Sequence, residues 1–193
     1  MNLTRALERD RRGIAAAEFA LILPFLLVLA LGAAEATAHL RAWYRLERAA
    51  AAAADAGARA EAMTRDAVGS LFEVARLTAA PYAAWSRPGD ATAARMVVSV
   101  IAGSGGRNVV SWSCGRGAAA PAATLAAGGA LPGGLSVPPG ESLLVVEVAN
   151  ATAPWRILSA RAFFGTAGPP VIRAHAVARP RTAELAVLQG GCP

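Results

Sequence analysis

Few side chains in this 193-residue chain are of the kinds that do chemistry, and their spacing decides what each could do. Glu18 is the sharpest case. It is a carboxylate inside an otherwise apolar run, where an ionised group is costly and marks a partner or a function, although so near the end of the run it could also snorkel to water. Cys114 and Cys192 have no CxxC spacing and no clustered histidine to complete a metal site. A disulfide in an oxidising compartment is the economical reading, and two unrelated thiols are the alternative. A bond would tie the tail near Gly191 to the segment around Trp112, closing a loop of about 79 residues worth roughly 4 kcal/mol of chain entropy. His39 and His175 are the only histidines, and neither has an Asp/Glu/Cys cluster at ligand spacing nearby, so structural placement is expected and no metal. Gly103-Ser104-Gly105-Gly106 lacks a following Lys-Ser/Thr and reads as a hairpin loop, not a phosphate cradle. Ser111 and Ser113 have no recognisable base partner, and Asn150-Ala151-Thr152 is a sequon of the sort that occurs often by chance. No catalytic constellation, cofactor motif or nucleic-acid module is visible, so no enzyme is expected.

The element that must position Glu18 is a helix. Ile14 to Ala34 is apolar apart from that one charge and covers about 31 Å at the helical rise, the thickness of a bilayer's hydrocarbon core. Arg5, Arg9, Arg11 and Arg12 precede it, and Gly13 separates them from the apolar run. A removed secretory signal is the rival reading, but the charge lies inside the run and only the weak Gly32-Ala33-Ala34 stretch offers a cleavage site. A cut after Gly13 would give Ile14 a free amine and make Glu18 the fifth residue, one helical turn along. There a carboxylate is favoured by the helix dipole and by an amine, its own or a packed neighbour's. Pro24 removes one hydrogen bond from the helix and commonly introduces a kink. Arg41, Arg45 and Arg48 follow the span closely, so the charge bias across it is slight and does not set the topology.

The run Arg11-Arg12-Gly13-Ile14-Ala15-Ala16-Ala17-Glu18-Phe19-Ala20-Leu21-Ile22-Leu23-Pro24-Phe25-Leu26-Leu27, followed by Gly32 and Glu35, resembles the TadE-like pseudopilin pattern of tight-adherence (Tad/Flp) pilus systems. The resemblance implies that a prepilin peptidase cuts between Gly13 and Ile14, and that Glu18 with Phe19 forms the recognition and packing element. Processed members typically carry tyrosine where this chain has Phe19, and an uncut anchor, as in related TadG-like proteins, is the alternative. It further implies pilin or pseudopilin subunits and the Tad secretion machinery as partners, and an inner-membrane, single-pass protein with its C-terminal part outside the cytoplasm.

Beyond the span, residues from about Leu40 to Leu77 contain no proline and are rich in helix formers, which predicts a continuing helix. Leu46, Ala50, Ala53, Gly57, Ala60, Met63, Ala67, Leu71, Val74 and Leu77 form a stripe at steps of four and three, to be covered by the protein's own sheet or by sister subunits. Asp55 with Arg59, Glu61 with Arg65 and Glu73 with Arg76 are spaced to pair on the other face. From Pro81 the composition changes. Met96–Ile101, Asn108–Trp112, Leu143–Val148 and Val171–Ala178 read as strands, and Gly115–Pro139 as a Gly/Ala/Pro-rich loop. Val177-Ala178-Arg179-Pro180-Arg181 is weakly similar to a phrase near the end of the same family. Trp85, Trp112 and Trp155 are expected in the sheet's core, with a binding surface as the alternative.

The expected fold is α+β, pilin-like: a long N-terminal transmembrane helix continuing as a spine, packed on a small, mostly antiparallel sheet. The parts are a basic leader or cytoplasmic segment (1–13), a transmembrane helix (14–38), an extramembrane helix (39–80) and a β-rich extracytoplasmic domain (81–193). The net charge of +6 comes entirely from arginines. They are scattered and mostly sit near acidic residues, so they read as solvated surface and not as a nucleic-acid footprint. Membrane lipid and pilus components are the expected partners, prepilin peptidase if the leader is cut, with no nucleic acid and no cofactor. The competing reading is a membrane-anchored extracytoplasmic binding or enzymatic domain unrelated to pili.

Overall fold

The computed structural model describes residues 11–82, 94–117, 131–150 and 171–193. Helix α1 (Arg11–Ala58) runs for 48 residues, about 72 Å at the helical rise. Alanine and leucine, the strongest helix formers, dominate it, and Pro24 lies inside without ending it. Pro24 cannot donate to the carbonyl of Ala20, a loss that membrane helices tolerate.

The two halves of α1 live in different surroundings. From Ile14 to Ala30 every side chain is exposed. Farther along, Ala42, Leu46, Ala49, Ala50, Ala53 and Ala54 are buried along one face, at the steps of three and four that a helix requires. Their small size lets neighbouring backbones come close. At Gly57 the packing is tight, since a Cβ there would meet Leu144 Cδ2 at 2.4 Å.

The helix does not continue unbroken to Leu77. It stops at Ala58, a two-residue strand β1 (Met63–Thr64) follows, and a second helix α2 (Arg65–Ala79) folds back against α1. The reason lies in how the two ends are capped. The amides of Arg59 and Ala60 close tight turns onto the carbonyls of Ala56 and Gly57, at 3.3 and 3.1 Å, and the amide of Arg181 donates to the carbonyl of Ala58 at 3.1 Å. Thr64 starts α2 as its N-cap, with Oγ1 accepting from the amide of Ala67 at 3.1 Å, and Asp66 stands favourably in the first turn. The break resets the helical phase. In α2 the buried residues are Val68, Leu71, Phe72, Ala75 and Ala79, whereas Leu77, expected on the apolar stripe, is exposed. Asp55–Arg59 and Glu73–Arg76 do pair, but Glu61 falls in the break and makes no ion pair with Arg65. Helix α2 ends at Ala79, just before Pro81, as an X-Pro boundary favours.

Four strands form one antiparallel sheet: β2 (Ala94–Ser104), β3 (Arg107–Gly117), β4 (Ser142–Asn150) and β5 (Ile172–Ala178), in the order β3-β2-β4-β5. All four predicted strands are present, most of them longer than expected. Strand β3 continues to Gly117, so the loop expected from Gly115 begins later; residues 118–130 of it lie outside the described residues. β2 and β3 join through Gly105 and Gly106, whose φ values of +57° and +76° are those of a two-residue hairpin turn and favour glycine. The alternation of the strands divides the core. Met96, Val98, Val100, Leu144, Val146 and Val148 belong to the cluster shared with both helices, and Val97, Ile101 and Val145 to a second cluster with Leu131 and Val137. Burying a Leu, Val or Phe side chain this fully contributes about 1.5–3 kcal/mol each.

The C-terminal tail is a strap. After the Arg181 contact, Thr182 Oγ1 donates to the carbonyl of Glu61 at 3.3 Å, and Leu185 is fully buried. The carbonyl of Leu185 accepts the indole N–H of Trp112 at 2.9 Å. Strand β6 (Leu188–Gln189) then pairs in parallel with β1, Met63 opposite Leu188 and Thr64 opposite Gln189.

Candidate functional site

The projecting part of α1 is the candidate functional feature. Phe19, Leu21, Phe25 and Leu29 are 59%, 72%, 70% and 69% exposed, and no side chain of an 18-residue window in this region is buried by the protein itself. Apolar surface on this scale is covered by lipid or by a partner. Among the described residues this is the one helix long and apolar enough to cross a membrane. Gly13 lies in α1, and Ile14 and Glu18 are four residues apart, hence on one face. Glu18 and Phe19 are both exposed. No other element of the described structure reaches this region to bury it.

Burial begins at Leu31 and Gly32, and Glu35 is 2% exposed. Glu35, Ala42, Leu46, Ala49 and Ala53 share the face of α1 that turns toward the domain. Glu35 lies seven residues before Ala42 and eleven before Leu46, about two and three helical turns, which puts the three on one face. On the opposite side Trp43 and Tyr44 stay exposed, with ring centroids 5.1 Å apart, and sequence reading did not single them out.

The remaining expected sites fall elsewhere. Cys114, buried on β3, and Cys192, exposed on the tail, are joined in a disulfide with Cα atoms 5.5 Å apart, within the folded domain. Trp112 lies in the core, whereas Trp85 and Trp155 lie outside the described residues. Ser113 Oγ and Ser99 Oγ are 2.9 Å apart, a cross-strand contact. Asn150 is buried and donates its amide N–H to the carbonyl of Tyr82 at 2.7 Å, which removes the sequon side chain from the surface. Gly103 lies against the backbone of Val137 and Pro138, leaving no open cradle for phosphate. Among the described residues no three His, Cys, Asp or Glu side chains are grouped to hold a metal ion.

A long apolar helix rising from a small α+β unit is the architecture of an anchored domain. The family described as TadE-like protein matches residues 13–55, so the expected resemblance holds from Gly13 almost to the end of α1. No curated protein and no solved structure matches the chain. The TadE-like segment and the apolar helix together point to a membrane protein related to Tad pili.

Proposed function

We propose that the chain is a minor pseudopilin, a membrane-anchored assembly protein of a Tad/Flp pilus or secretion system, with assembly and not catalysis as its role. The observation that carries this reading is the unburied apolar helix with its single exposed carboxylate, Glu18, inside the TadE-like match. Residues 1–13 are the leader, 14–38 the span, 39–80 the extramembrane helical part and 81–193 the β-rich domain. The domain lies outside the cytoplasm and the anchor in the inner membrane.

In this reading, prepilin peptidase cuts between Gly13 and Ile14. Glu18 and Phe19 then pack against pilin or pseudopilin subunits, and the carboxylate meets an N-terminal amine at the dipole end of a helix. A carboxylate at the edge of the hydrocarbon is costly to draw inward unless it is paired, which gives Glu18 a preference for a partner's amine over lipid chains. The experiment is the intact mass of the chain isolated from membranes of cells expressing the Tad peptidase. A mature chain beginning at Ile14 supports the processed pseudopilin, whereas a soluble chain beginning near Glu35 contradicts the anchor altogether.

A further inference from the structure

The burial of Glu35 changes which part of α1 lipid can cover. From Phe19 to Leu40 the only acidic or arginine residue is Glu35, and it is 2% exposed, on the helix face shared with Ala42 and Leu46, with His39 half-buried four residues on. The outward surface of the helix therefore carries no acidic or arginine side chain from Phe19 to Leu40, about 33 Å, enough to cross a hydrocarbon core with a modest tilt. At the far end of that surface the character changes abruptly. Arg41 is exposed, Trp43 and Tyr44 are 37% and 54% exposed and touch each other, and Arg45 and Arg48 follow at helical steps of four and three from Arg41. Arg45 also donates to the carbonyl of Ala80, which fixes this stretch of α1 against the end of α2. Glu47, exposed in the same stretch, leaves the three arginines in excess.

Tryptophan and tyrosine beside the end of a span are the residues that occupy the headgroup layer, since each has an apolar body and a polar tip. Arginine adds a long apolar stem and a charge that pairs with phosphate. We propose that Arg41, Trp43, Tyr44 and Arg48 form a headgroup-binding shoulder for anionic phospholipid on the domain side of the bilayer. It sets the depth of α1 so that its outward face spans from Phe19 to Leu40, not from Ile14 to Ala34. Glu18 then comes to the opposite headgroup boundary, within reach of the leader side, while remaining available to a partner. The inference rests on the reading that α1 crosses a membrane.

The test uses the full chain in phosphatidylcholine vesicles with and without phosphatidylglycerol, containing lipids brominated either near the headgroup or deep in the acyl chain. The contribution of Trp43 is the difference in fluorescence between the native chain and Trp43→Phe, and flotation reports membrane insertion independently. The expected result is quenching of Trp43 about twofold greater by shallow than by deep bromines, reduced about twofold by Arg41→Gln with Arg48→Gln in anionic vesicles only. A chain that floats with the vesicles while Trp43 stays unquenched overturns the shoulder and leaves the anchor standing. Quenching that is the same in neutral vesicles and indifferent to the arginines overturns the headgroup assignment. Protection of Trp43 by cross-linking to a second copy overturns it in favour of self-association, and a chain that does not float overturns both readings.

Discussion

Glu18 and Glu35 lie on one helix, about 26 Å apart at the helical rise, and of the two only Glu35 is buried, on the face it shares with Ala42 and Leu46. One carboxylate belongs to the folded unit, and the other is presented outward on the apolar projection. Replacing Glu18 should therefore separate assembly from folding. Glu18→Leu is expected to leave thermal unfolding of the domain within about 0.5 kcal/mol of the native chain, as for an exposed site away from the core. Recovery of pilin-like subunits in a pull-down from membranes should fall about tenfold, the loss of an interaction worth roughly 1.4 kcal/mol.

Two glycines make a paired prediction about packing. A Cβ at Gly57 would meet the end of the Leu144 side chain, which can move aside, and alanine gains helix propensity of about 1 kcal/mol there. At Gly103 the obstacles are the carbonyl oxygens of Val137 and Pro138, at 2.1 and 2.3 Å, and backbone cannot yield so cheaply. Gly57→Ala should cost no more than about 1 kcal/mol, and Gly103→Ala about 3 kcal/mol, in chemical denaturation of the chain in detergent.

The Cys114–Cys192 bond closes a loop with a sequence separation of 78 and anchors the end of the strap to β3. Replacing both cysteines by serine should lower stability by about 2–5 kcal/mol, because the unfolded chain regains the freedom of that loop. Urea unfolding with and without a reductant checks this. The native chain should respond to the reductant and the double variant should not.

Trp112→Phe keeps the ring in the core but removes the donor to the carbonyl of Leu185. The expected loss is about 1–3 kcal/mol, the cost of leaving a buried acceptor unpaired. Faster amide exchange at Leu188 and Gln189 should accompany it, since the strap is held on both sides of Leu185.

The architecture was readable in the sequence where one residue type dominates a short-range pattern. Val and Ile runs between Gly and Pro marked all four strands of the sheet, Gly105-Gly106 marked the hairpin, and the apolar run after Gly13 marked the projecting helix. The end of α1 was not readable, because the apolar steps run on through Gly57, Ala60 and Met63 as though the helix continued. What ends it is the pair of tight turns at Arg59 and Ala60 with the amide of Arg181, which comes from a distant part of the chain and leaves no side-chain signature, while the Thr64 cap, whose sequence signal is present but weak, starts α2. The candidate site divides in the same way. Glu18 stands out in its apolar surroundings, whereas the importance of Trp43 and Tyr44 depends on the neighbouring Glu35 being turned inward, a fact of tertiary packing.

The most direct test of the account places a photo-activated cross-linker at Ile22, one turn beyond Glu18 on the same face of α1, in membranes that contain the other Tad components. The account predicts adducts with a pilin-like subunit that disappear when Glu18 is replaced by leucine. Adducts with lipid alone, unchanged by that replacement, would contradict it.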